Sequence, residues 1–422
     1  MTEAHDNPKC RVLVLKIASR CNLNCSYCYM YNMGDSTYKG QPKTMTDDIV
    51  DALLLRVSNH CIRHGIRKFL FIFHGGEPLL AGRDFFSRFV SQANSLLLPA
   101  ITPIFNIQTN GVLLSDEWCT LFAQLDIHIG ISLDGLPEEN DKFRVYHSGK
   151  GAYDDIVRGL HFAHNNPHLK EKPGIISVIN IHADPIATYE HFKSLKIEII
   201  HLLLPDATYD QPPPTPSTQT QAHPTFYADW LIRIFDQWFY ETEAKPQIRL
   251  FTFIIKLILG ESVMADNLGT QDNEVLVIET NGGIEALDVL KICGDGFTKA
   301  NANVLTHELD ESMHTDLARL FYASHTKLCK QCLCCPVKNI CGGGYLPHRY
   351  SKLNGFNNPS VYCNDLLKLI THIQNHVLEQ MPSSLLTDAG VGKLSFEEAK
   401  TIIRQEMDAM PDPSYITELE HF

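Results

Sequence analysis

Three cysteines spaced C-x3-C-x2-C, Cys21, Cys25 and Cys28, lie in the run KIASRCNLNCSYCYMY. Three close thiolates on one loop can hold a 4Fe–4S cluster and leave one iron without a protein ligand, open to a small chelating cosubstrate. A zinc knuckle is the alternative, but zinc usually takes four close nitrogen or sulfur ligands, and no fourth Cys or His follows nearby. A second cysteine-dense stretch runs from Cys329 to Cys363, reading CKQCLCCPVKNICGGGYLPHRY and then NPSVYC. Zinc sites built from four cysteines have similar spacing, so at this second stretch the local residues leave zinc and iron–sulfur both open.

Elements able to position these thiols alternate along the first half of the chain. Strand-like runs fall at Arg11–Ile17, Phe69–His74, Pro103–Gln108, Ile127–Leu133, Ile175–Ile181 and Ile197–Leu204, with helical stretches between them, for instance after Thr46 and Ser115. Repeated β-α units predict a parallel sheet with outer helices, an α/β fold whose chemistry gathers at the C-terminal ends of the strands. The three-cysteine loop leaves the first strand at such an end. An irregular loop is expected at Pro205–Pro224, helices at about Pro224–Thr242 and Leu250–Met264, and a hairpin turning at Asn281-Gly282-Gly283. In the tail, Ser395 and Glu398 form a capping box before Phe396, Ala399, Ile403 and Met407, the pattern of a packing helix.

The chain has 422 residues, 44% of them hydrophobic, enough for a large domain and a smaller one. Its net charge of −13 disfavours nucleic acid, and its apolar runs are too short to span a membrane. Thirteen cysteines without an apolar stretch in MTEAHDNPKC argue for metal ligation in a reducing, cytoplasmic setting rather than for disulfides.

Further motifs follow in order. His74-Gly75-Gly76-Glu77-Pro78 follows the second strand, Gln108-Thr109-Asn110-Gly111 ends the third, Ser132-Leu133-Asp134-Gly135 ends the fourth, and Arg144 comes ten residues after Asp134. Together with the cysteines they resemble the radical S-adenosyl-L-methionine (SAM) enzymes. The resemblance implies that Cys21, Cys25 and Cys28 hold a 4Fe–4S cluster and that SAM fills its open iron. It also implies that cleavage of SAM yields a 5′-deoxyadenosyl radical that takes hydrogen from a substrate. Gly75, Gly76 and Glu77 would then receive the SAM amino group, and Ser132 and Asp134 its ribose or methionine part. Gln108 and Asn110 belong to the same set, Arg144 would pair with the SAM carboxylate, and Tyr27 would lie along the adenine.

Cys332-x2-Cys335-x5-Cys341 with distant Cys363 resembles the outer auxiliary cluster of SPASM domains, implying a closed 4Fe–4S site suited to electron transfer. Cys329 could replace Cys363, and Cys293 could join a partial site. Tyr345 and Leu287 stand where the full pattern has cysteines, so an inner auxiliary cluster is not expected. On this reading the domains are a partial (β/α)6 TIM-like barrel at 10–222, a helical bridge at 223–272, a SPASM-like domain at 273–370 and a helical extension at 371–422.

The segments LKIASRCNLNCSYCYMYNMGDSTYK, FHGGEPLLAG, LLLPDATYDQPP, CPVKNICGGGYLPHRY and GFNNPSVYCNDL resemble the FxsB-type peptide maturases that form three-residue cyclophanes. That resemblance implies a ribosomal precursor peptide with an aromatic-x-x motif as substrate, and a reducing protein such as flavodoxin or ferredoxin. It also implies a bond between an aromatic ring carbon and the β-carbon of a residue two places later. Asp288 would be the base, with Asp206 as runner-up, while His348 and Arg349 read as structural. No winged-helix leader-binding domain is expected before Arg11, so the peptide would add to an exposed sheet edge. Rival readings are epimerisation, with Cys61, Cys119 or Cys334 as hydrogen donor, thioether formation, or a zinc-stabilised binding protein without catalysis.

Overall fold

The computed structural model describes residues 8–215, 224–390 and 392–422. Most of the N-terminal run MTEAHDNPKC, and residues 216–223 of the expected Pro205–Pro224 loop, lie outside them. The chain divides into two compact units. The first comprises residues up to Ser177, Ile197–Ile199 and Glu274–Tyr322; the second comprises Val178–Lys196, Ile200–Asn273 and Ala323–Phe422.

The first unit is a parallel sheet of β1 (Val12–Ala18), β2 (Lys68–Gly75), β3 (Thr102–Thr109), β4 (Ile127–Ser132) and β5 (Gly174–Val178). These pair in sequence order, with successive connections carried by helices. Phe69, Phe71 and Phe73 alternate along β2 and are fully buried. Phe73 meets Phe86 edge-on at 5.1 Å, and Phe71 meets Phe89 at 5.5 Å, both partners lying on the helix Arg83–Leu97. A strand's side chains alternate between faces, so this packing sends Leu70, Ile72 and His74 to the opposite face. β1, by contrast, is buried almost throughout, including Lys16.

On its far side β1 takes β8 (Val275–Ile278) as a second parallel neighbour, with Val12 opposite Val275. The expected hairpin then turns β8 into antiparallel β9 (Ile284–Glu285). The turn needs Gly282, whose φ is +83°. The sixth repeat ends in β6 (Ile199–Leu203), which neighbours the short β7 (Gln247–Ile248).

In the second unit the helices Phe226–Tyr240 and Cys363–Glu379 pack together. The helix expected to reach Met264 covers only Arg249–Ile258, because the chain turns at Gly260, φ +83°. The expected fifth strand likewise stops at Val178 instead of Ile181. The tail helix Phe396–Ala409 forms with its capping box and buries Ala399 and Ile403. Among the described residues, no helix is long and apolar enough to cross a membrane.

Candidate active site and cluster-binding cysteines

The loop after β1 carries Cys21, Cys25 and Cys28, all free and half-buried. Its shape is fixed by the backbone: Cys28 N–H donates to Cys25 O at 3.1 Å, Asn24 N–H to Val145 O at 2.7 Å, and Ser26 N–H to Phe143 O at 3.1 Å. Burial, helped by Glu77, pushes the Cys21 thiol up to about 12, and burial pushes that of Cys28 up to about 11.

The glycines of HGGEP let two stretches of this chain touch. Gly76 N–H donates to Ala18 O at 2.8 Å, and Glu77 N–H to Arg20 O at 2.9 Å. A Cβ on Gly75 would strike Ala18 O, and one on Gly76 would strike Arg20 O and the Tyr31 hydroxyl. Glu77 is fully buried, and its carboxylate accepts from Leu79 N–H at 3.0 Å, the Thr109 hydroxyl at 2.7 Å and Asn110 N–H at 2.9 Å. It therefore braces the end of β2 against the end of β3. A carboxylate offers about four acceptor sites, so one remains for an ammonium.

The other motif residues are brought together as well. The Asn110 side-chain amide donates to Asn22 Oδ1 at 2.7 Å and approaches Cys21 Sγ at 3.7 Å. Gln108 donates to the Ser132 hydroxyl at 2.9 Å. The Tyr27 hydroxyl donates to Asp134 and accepts from Arg144 at 2.6 Å, while Arg144 lies 3.8 Å from Asp134. Burial opposes the Arg144 charge, but Tyr27 and Asp134 more than compensate and hold its pKa above the ordinary value. Its Nε is buried without a hydrogen-bond partner, a donor that a small carboxylate would satisfy.

Asp288 sits just after β9 and is buried. Its carboxylate pairs with Lys16 and accepts from the Tyr29 hydroxyl at 2.5 Å; Tyr29 directly follows Cys28. Lys16 also contacts the Tyr29 hydroxyl at 2.8 Å and His74 Nδ1 at 3.0 Å. Burial alone would raise the Asp288 carboxyl, but Lys16 outweighs it and holds the group well below the usual carboxylate range. Burial and Lys16 press His74 down to about 3, so it is neutral at physiological pH. Lys16, Tyr29 and His74 were missed at the sequence level. The available signal was a lysine inside the apolar run VLVLKIA, since a buried cation requires a partner.

In the second unit, Cys329, Cys332, Cys335, Cys341 and Cys363 act on one another electrostatically as one group. Cys334 instead turns to Met410 Sδ, 3.6 Å away. Gln331 approaches Cys363 Sγ at 3.4 Å. Buried Arg349 ties the surrounding loops together through Ser324 O at 2.9 Å and Lys327 O at 2.5 Å, and lies close enough to Cys332, Cys329 and Cys341 to offset negative charge on them. Cys293 is buried in the first unit, as are Cys61 and Cys119 within helical cores. Asp206 follows β6 in the second unit.

A parallel sheet with a three-thiol loop and motif loops that present a buried arginine donor and a carboxylate is the arrangement that the resemblance to radical SAM enzymes implies. Residues 15–196 match the Radical SAM superfamily model. The chain is similar to the cysteine-type anaerobic sulfatase-maturating enzyme of Clostridium novyi, at 25% identity over 368 residues, 83% of this chain and 92% of the relative. It is also similar to the serine-type enzyme of Bacteroides thetaiotaomicron, at 24% over 415 residues, 92% of this chain and 96% of the relative. The solved structure of native anSMEcpe with bound AdoMet superposes with a TM-score of 0.73 at 22% identity, covering 87% of this chain and 98% of the other. Streptococcus suis SuiB bound to precursor peptide SuiA gives 0.51 at 18% identity, covering 81% and 73%. The fold is thus a radical SAM TIM-like parallel-sheet core with a C-terminal domain.

Proposed function

We propose that this enzyme matures a ribosomally synthesised peptide, joining an aromatic ring carbon to the β-carbon of a residue two places later. When bound, SAM and the cluster on Cys21, Cys25 and Cys28 supply a hydrogen-abstracting radical, and an auxiliary cluster on Cys332, Cys335, Cys341 and Cys363 takes up one electron. Glu77 and the Gly75–Gly76 backbone would receive the SAM ammonium, and the Arg144 Nε, buried without a partner, would receive its carboxylate. Tyr27, Gln108, Asn110, Ser132 and Asp134 would hold the remainder of the cofactor. A β-hydrogen leaves the peptide, the resulting carbon radical adds to the ring, and loss of one electron and one ring proton restores aromaticity. A soluble cytoplasmic reductant such as flavodoxin or ferredoxin supplies the initiating electron.

The observation that supports this most is Asp288, a buried, ionised carboxylate held beside the residue after Cys28. A carboxylate of such low basicity is a poor base toward an alcohol. It is adequate toward an oxidised arene adduct, which is itself a strong acid, since proton transfer follows the match between the two pKa values. A second reading, oxidation of a serine or cysteine to an aldehyde, is favoured by the near full-length similarity to sulfatase-maturating enzymes.

Anaerobic co-expression with the neighbouring precursor peptide, followed by mass spectrometry, separates the readings. A product lighter by two hydrogens, inert to aldehyde reagents and lacking cysteine, supports the carbon–carbon crosslink. The same mass with aldehyde reactivity supports serine oxidation; an unchanged mass supports epimerisation and contradicts the proposal.

A further inference from the structure

We propose that Asp236, His372 and His376 form a site for a first-row divalent cation, Zn2+ by its donor set, separate from both cysteine sites. His372 and His376 stand four residues apart on the helix Cys363–Glu379 and so share one face, a turn apart. Asp236 comes from the adjacent helix Phe226–Tyr240. Its Oδ1 lies 2.6 Å from His372 Nε2 and 3.8 Å from His376 Nε2, and the three donor atoms fall within 4.8 Å of one another. Zinc bonds near 2.0–2.2 Å in tetrahedral geometry place ligand atoms about 3.3 Å apart. That value lies between the two spacings to Asp236.

Two features favour an ion over a simple hydrogen-bonded pair. The 3.8 Å approach of His376 is too long for a hydrogen bond. Its other ring nitrogen, Nδ1, is held by the Tyr240 hydroxyl at 2.8 Å, and such an orienting contact is what metal-bound imidazoles use. The two rings lean on Phe235 at 5.8 and 5.9 Å, which fixes their direction. The side chains of Asp236, His372 and His376 are 47%, 26% and 22% exposed, giving the ion a way in and water a place in the fourth position.

A similar trio, His60, His64 and Asp310, lacks this character. Arg63 already pairs with Asp310, and His60 Nε2 meets Cys10 N at 3.0 Å, so each group is satisfied by hydrogen bonds and a cation would face a guanidinium. The helix of the proposed site begins at Cys363, so a bound cation would pin the element that carries the last cysteine.

The test uses enzyme reconstituted anaerobically, so that cluster thiols are occupied, cleared with a chelator and titrated with Zn2+. One equivalent should bind. His376→Ala and Asp236→Asn should each weaken binding about tenfold or more, and Zn2+ should raise the Tm of the wild type but not of these variants. Asp236, 47% exposed, can be changed to Asn with little effect on the Tm without zinc, and His64→Ala should bind zinc normally. Zinc affinity unchanged by both site variants, or lost in His64→Ala instead, would overturn the proposal.

Discussion

Cys21, Cys25 and Cys28 share one short loop, each half-buried, while Cys329, Cys332, Cys335, Cys341 and Cys363 converge from two helical turns and the start of a long helix. The first set offers three thiols for four irons and sits among buried polar side chains with donors to spare. The second offers five thiols and buried Arg349, which donates to backbone carbonyls while its Nε, like that of Arg144, has no hydrogen-bond partner. By thiol count the first loop can leave one iron open and the second can close a cluster; an unpartnered arginine Nε lies at both.

The sharpest way to break that distinction is Cys25→Ala, which should abolish the peptide product and the SAM-sensitive cluster signal while leaving auxiliary iron in place. Cys363→Ser should remove about half of the iron, whereas Cys329→Ser, the surplus thiol, should keep it, as read by iron and sulfide analysis. Gly76→Ala drives a methyl into Arg20 O and Tyr31, so it should cost roughly 3 kcal/mol or more in denaturant unfolding. Gly40→Ala, with open space around it, should cost little.

Lys16→Met leaves Asp288 buried without its cation and should destabilise the enzyme by about 3–5 kcal/mol. The acid limb of stability tests the same cluster. Asp288 titrates below its ordinary 3.8, so its contribution is complete above that pH and fades as pH falls further. His74 is held near 3 against an ordinary 6.5, so its contribution is complete above 6.5 and is lost as pH falls through about 3. His74→Asn should therefore flatten the pH dependence of stability between those values. The smallest effect should be Ser395→Ala, about 1 kcal/mol from the lost cap with product formation unchanged.

Much of this was legible beforehand because the signals were local. Six alternating strands, the motif loops at their ends, the Asn281–Gly283 hairpin and the Ser395 cap all rest on periodicity or turn chemistry within a few residues. The pairing of β8 beside β1 was not legible, since VLVI at Val275–Ile278 reads as one arm of a hairpin and nothing local names a parallel partner some 260 residues away. The environment of Asp288 was hidden for the same reason: its partners Lys16, Tyr29 and His74 come from two strands and a loop far upstream. The glycines of HGGEP read as room for a ligand, whereas the structure uses that room for the chain's own Ala18–Arg20 backbone.

The most direct test of one open and one closed site is iron and sulfide analysis with electron paramagnetic resonance on the anaerobically reconstituted enzyme, with and without SAM. The account expects about eight irons per chain, in two 4Fe–4S clusters of which SAM alters the signal of one. About four irons with zinc at the C-terminal cysteines, or two signals that both respond to SAM, would contradict it.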